Sequence, residues 1–259
     1  MMKNINITLL IATLFLVTAC VDDIVRLDDE DNGNGDENGA PNGAMELTQD
    51  FNEYRGTEET LPDGFFVSWD ESRTDNPFTG VGNFDTSDPD EAYGGFTAYT
   101  SGNGDYSFGI RERTPVDLRN SRLFMEITND TDQPIFEFEV SYDVEAWFIG
   151  DRRNRIRLKY DDDREDPESF DEDIFSTDNP SSELTPGTKV NGSLAENRTT
   201  ISGKVDITEL ERDGVPIGPL APGATAWFRW QFSNADGDDG SLRSGLAVNN
   251  ISVTPVINE

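Results

Sequence analysis

The chain has 259 residues, with 52 Asp and Glu against 20 Lys and Arg, no His and a single Cys. Without imidazole there is no Ser-His-Asp or Cys-His catalysis and no His-ligated zinc or iron, and one Cys allows no intrachain disulfide. A net charge of −32 opposes nucleic acid, whose phosphates need clustered Lys and Arg, so no nucleic-acid partner is expected.

Residues 1–19 read as a processing segment. Lys3 gives a positive start, and Ile5–Val17 is an apolar run too short to span a bilayer, which takes roughly 20 residues. The run closes on Leu16-Val17-Thr18-Ala19-Cys20, which resembles the lipobox of bacterial lipoproteins. That resemblance implies cleavage before Cys20 and acylation of its thiol and new amino group, because two or more acyl chains anchor firmly where one does not. The alternatives are an ordinary secretory signal with an unrelated Cys, or a short membrane anchor. Residues 20–50 follow as an acidic, Gly- and Asn-rich segment whose one base is Arg26, and self-repulsion without apolar periodicity predicts a disordered tether. An acidic run after the lipidated Cys also resembles the export signal of surface lipoproteins in Bacteroidota-type bacteria, which implies an outer-membrane, surface-exposed location; the alternative is a solvated spacer on a periplasm-facing protein.

From Phe51 onward apolar residues recur every second position. Strands are predicted at Phe65–Trp69, Gly95–Tyr99, Tyr106–Ile110, Arg122–Thr128, Pro134–Ile149, Arg155–Tyr160, Thr200–Ile207, Ala224–Phe232 and Leu246–Thr254, separated by Gly, Pro, Asn and Asp. The turn-like Gly150–Asn154 predicts an antiparallel hairpin joining the fifth and sixth of these. Pairing Phe148 with Ile156 sets Glu145 against Lys159 and Trp147 against Arg157. The stretch 161–191 is predicted as a long acidic, proline-bearing loop that either carries a short helix or lies as a flap. The whole predicts an all-β fold, a two-sheet antiparallel jelly-roll β-sandwich over residues 51–256.

Several stretches carry a further resemblance: Leu61–Gly64, Tyr106–Gly109, Ile127–Thr131, Gly192–Thr199, Leu220–Ala224, Trp227–Trp230 and Ser244–Thr254. Together they resemble a family of secreted bacterial jelly-roll domains, similar to MAM-type and lectin-like modules. In those modules the closing strand usually carries two acids where this chain has Asn249-Asn250, and often His where it has Ser244. The resemblance implies the fold; the departure argues against an acid-dependent calcium or catalytic role at that point.

Trp147 and Trp227 alternate with polar neighbours, so both indoles are predicted on faces turned from the core. A flat indole there can stack a sugar ring. With Arg157, Arg229 and Glu145 as donors and acceptors, a polysaccharide groove on one sheet is expected; the alternative is that loops cover both indoles. Trp69 and Trp230 read as core. The acids Glu137, Glu139, Asp143 and Glu145 read as a solvated face balanced by Arg155, Arg157 and Lys159 rather than as a hydrolytic pair. Asn234, Asp236, Asp238 and Asp239 alternate as in a calcium loop, but the Gly is displaced by one place and no Glu closes it, and Asp161–Asp163 with Asp166 form a second acidic loop. The sequence thus predicts a lipid-anchored envelope protein with a non-catalytic binding or adhesion domain. A jelly-roll hydrolase or lyase, and a structural component contacting surface proteins, are the alternatives.

Overall fold

The computed structural model describes residues 46–70, 76–83, 94–112, 119–163, 170, 172–235 and 242–257. In chain order the strands are β1 Leu47–Gln49, β2 Phe65–Asp70, β3 Phe78–Asn83, β4 Gly95–Thr100, β5 Tyr106–Arg111, β6 Arg119–Thr128, β7 Glu137–Ile149 and β8 Asn154–Asp161. They continue with β9 Phe175–Asp178, β10 Thr188–Lys189, β11 Arg198–Asp206, β12 Glu211–Arg212, β13 Val215–Pro216, β14 Thr225–Asn234 and β15 Gly245–Val256. A large sheet runs β10-β7-β15-β5-β4-β3, with β1 added to β15 and β11 to β7, and a small sheet runs β2-β6-β14-β8-β9; β12 and β13 pair apart. All pairings are antiparallel except β3–β4, which is parallel.

The alternation explains the two layers. From the large sheet, Phe138, Val140, Tyr142 and Val144 meet Leu123, Met125, Ile156, Leu158, Phe228 and Trp230 of the small one. Edge-to-face pairs cross the interior, Phe138 on Phe228 at 5.5 Å and Tyr142 on Trp230 at 5.7 Å. In β15 the buried parity changes from Leu246 and Val248 to Ile251 and Val253. A bulge between Asn249 and Ser252 makes the change, with Asn250 in the left-handed region at φ 47°, which Asn tolerates better than most residues.

The expected hairpin does not form. β7 pairs with β15, β10 and β11 in the large sheet, and β8 pairs with β14 and β9 in the small one. Gly150–Arg153 is therefore an arch across the sandwich, and Glu145 does not oppose Lys159. The alternation fits both arrangements, because an arch turns the two apolar faces toward each other through the core. Since β7 pairs with β15 and β8 with β14, the arch runs beside the β14–β15 connection and is bonded to it: Arg152 N donates to Leu242 O at 3.0 Å and Ser244 N to Asn154 Oδ1 at 2.9 Å. Two neighbouring strands crossing together from sheet to sheet is the winding of a jelly roll.

Smaller differences follow the same logic. Leu47–Gln49, placed by the sequence reading in the tether, is a strand on β15. The loop at 161–191 contributes β9 to the small sheet and β10 to the large one, both too short to show an alternation. Phe136, read as part of the core face, is 45% exposed.

Candidate functional site

On the outer face of the large sheet, Trp147 is 4% exposed. Its ring stacks on Tyr99 at 5.6 Å and 10°, and Gly192 packs so closely that a Cβ there would stand 2.4 Å from the indole nitrogen. The indole is covered by β4 and the segment after β10, so it is no platform for a ligand. Its Nε1 donates to Glu145 Oε2 at 2.9 Å, and Asn249 Nδ2 donates to Glu145 Oε1 at 3.3 Å. Burial pushes the Glu145 carboxyl up to about 7 against the pull of these donors. Beside it, Asp143 accepts from Asn250 Nδ2 at 2.8 Å and from the Thr200 hydroxyl. Amides at 249 and 250 thus donate to two carboxyl groups that acids at those positions would repel.

Trp227, Arg229 and Arg157 lie on the outer face of the small sheet, away from Trp147 and Glu145, so the five residues expected to share a groove are divided between opposite faces. Trp227 is partly exposed and donates to Glu126 Oε2 at 3.3 Å. Arg229 is 2% exposed, its guanidinium 4.2 Å from the centre of the Phe170 ring. Lys159 Nζ and Arg229 Nη2 donate to Phe170 O at 2.8 and 3.3 Å. Asp173 bridges Lys159 at 3.2 Å and Arg157 at 3.3 Å. Burial holds the Lys159 ammonium below its usual range, with Asp173 opposing. The chain's own residues 170 and 173 therefore sit on these cations.

Among the described residues no group of three or more acidic, His or Cys side chains is placed to hold a metal, and most of the 234–239 loop lies outside them. Asn234 Oδ1 accepts from Asn154 and Arg243; Asp236, Asp238 and Asp239 lie outside the described residues, as do Asp166 and Cys20. In the other loop, Arg212 Nη1 stands 3.0 Å from Asp161, 2.7 Å from Asp162 and 3.9 Å from Asp163. The Arg212 guanidinium thus stands among the three aspartates of this loop.

A concave site lies elsewhere, on a side of the sandwich where β2 borders the small sheet and β3 the large one. A groove of about 630 Å³ opens there. Its floor holds Phe65, Trp69 and Phe78, each partly exposed and each packed on the core, Trp69 against Phe96 at 5.9 Å and Phe78 against Phe96 at 5.6 Å. Trp69, read from sequence as core, instead joins core to groove. One rim is the short 3-10 turn Glu58–Thr60 and the segment to Gly64, carrying Glu58, Glu59 and Asp63. Thr60 fixes this rim, its hydroxyl oxygen accepting from Arg55 N at 2.9 Å, while Glu126 N donates to Gly64 O at 2.8 Å. Gly56, at φ 71°, packs on Gly80, where a Cβ would meet Gly80 O at 2.0 Å. The sequence signal was Leu61–Gly64 before a Trp strand, which marks the rim but not the hollow behind it.

No protein-family model and no curated protein matches the chain. Among solved structures it is similar to the K3 cleaved adhesin domain of Lys-gingipain from Porphyromonas gingivalis, at 12% identity and TM-score 0.45, over 80% of this chain and 97% of that one. It is similar to the xylan-binding module CBM15 at 8% and 0.37, over 84% and 100%, and to a mannan-recognising carbohydrate-binding module, TmCBM27, at 10% and 0.36, over 83% and 100%. Likeness at this level assigns no function.

Proposed function

We propose that the protein is a non-catalytic glycan-binding or adhesion module of the bacterial cell envelope, held to the membrane by acylated Cys20, with its ligand in the groove between β2 and β3. The observation that carries the reading is the floor of that groove: Phe65, Trp69 and Phe78 present ring surface in a hollow of about 630 Å³. Partly exposed rings held by a core offer rigid stacking area with little entropy to lose on binding. Binding is favoured over hydrolysis because Glu58, Glu59 and Asp63 all stand on one rim. The described lining of the other wall is Asn76, Pro77, Phe78 and Gly80, and glycoside cleavage needs two carboxyl groups across the bond.

Retention of residues 41–259 on immobilised polysaccharides, followed by calorimetry on the oligosaccharide retained, tests this. Trp69→Ala should weaken binding at least about tenfold, some 1.4 kcal/mol, and Trp69→Tyr should restore most of it. Circular dichroism checks folding. A second reading is favoured by the partial exposure of Trp227 beside Glu126. It requires the loss in Trp227→Ala and none in Trp69→Ala. Binding indifferent to both substitutions overturns both readings.

A further inference from the structure

The groove does not end at its rim. A second, more open depression of about 890 Å³ adjoins it, and the two share Glu59, Leu61, Pro62 and Asp63. The far end of this trough reaches β1 and the bulge of β15, at Thr48 and Asn250. Among the described residues lining the two hollows the charged side chains are Asp50, Glu53, Glu58, Glu59 and Asp63, all exposed carboxylates, and none is Lys or Arg. Arg55 comes within 3.9 Å of Glu53, but its guanidinium lies over the Tyr106 ring and outside the lining.

An aromatic floor with carboxylates above it discriminates by charge. The carboxylates accept hydrogen bonds from sugar hydroxyls, while an anionic chain laid along the same path meets like charges within about a Debye length, roughly 10 Å at 0.1 M salt. A single sugar would fill only part of two hollows that flank the same segment, Glu59 to Asp63.

Resting on the glycan reading above, we propose that this trough selects an uncharged polysaccharide chain, engages several consecutive sugars, and rejects chains bearing uronate or sulfate groups. The probes are cellohexaose, xylohexaose and mannohexaose, their disaccharides, and an oligogalacturonate of equal length, titrated into residues 41–259. At low salt the best uncharged hexasaccharide should bind at least about tenfold more tightly than both its disaccharide and the oligogalacturonate. The gap to the oligogalacturonate should narrow at high salt and in the surface variant Glu58→Gln/Glu59→Gln/Asp63→Asn, whose folding is checked by its melting curve. Equal binding of the oligogalacturonate, or a gap unmoved in the variant, overturns the charge selection and leaves the glycan reading intact if Trp69→Ala still abolishes retention. Tight binding of a disaccharide with no gain for the hexasaccharide overturns the extended chain. If no probe of either charge shows Trp69-dependent binding, both proposals fall.

Discussion

Glu145 shows how far alternation reaches at the scale of one residue. The period of two puts it on the face away from the core, and that placement holds. Whether that face is wet depends on Gly192 and Tyr99, distant in sequence, which close over Trp147 and leave Glu145 1% exposed. Because burial raises the folded carboxyl from 4.5 to about 7, the folded state holds a proton the unfolded chain releases earlier. The stabilisation this gives is complete below about pH 4.5 and is lost as pH rises toward 7. Glu145→Gln should remove that slope, and its stability relative to the parent should rise between pH 5 and 8 by roughly 1–3 kcal/mol, read by urea denaturation across that range. Arg212 makes the opposite case. Asp161 is fully buried and faces the guanidinium of a partly exposed Arg212, so Arg212→Ala should cost about 1–3 kcal/mol in the same assay, as leaving a buried acceptor without its donor does. Restoration of that loss by millimolar calcium would show that the three aspartates can take a metal once the arginine is gone.

At the scale of elements, the predicted strands at 65–69, 95–99, 106–110, 122–128, 134–149, 155–160, 200–207, 224–232 and 246–254 all correspond to observed ones, with ends moved by a few residues. Their partners were less legible. Residues Gly150–Asn154 look like a hairpin turn, yet the chain uses them to change sheets. The arch is recognisable only by its bonds to 242–244, and Gly150 fits there because a Cβ would stand 2.1 Å from Leu242 O. Gly150→Ala should therefore destabilise by about 1–3 kcal/mol, the usual range for forcing atoms into packed space, with a lower melting temperature as the measure. A matching substitution at Gly214, where no atom lies within 4 Å of a built Cβ but φ is 74°, should show only the smaller cost of its backbone conformation. The groove was illegible for a related reason. It is made by the margins of two different sheets, and no periodicity in β2 records that β3 borders the same side.

At the scale of the whole molecule, the chain combines a β-sandwich that offers a groove with an N-terminal sequence that we propose directs processing. Such a signal would be read from the order of residues alone. Cys20→Ser should abolish palmitate incorporation and move the protein from the detergent-rich to the aqueous phase of a Triton X-114 separation; unchanged partitioning would exclude the anchor. The charge of −32 likewise needs no fold to act. It weighs against anionic partners. By itself, then, the sequence determined nine of the longer strands, the apolar side of most of them, and the chemical character of the surface, because those depend on neighbours one or two positions away, while β3 and the short strands β1, β9, β10, β12 and β13 carry no alternation to read. Tertiary structure alone decided which strands pair, that Trp147 is sealed while Trp69 is reachable, and that the carboxylates of 58–63 overlook an aromatic floor. Those outcomes depend on contacts between segments separated by tens of residues, and short-range periodicity does not encode them.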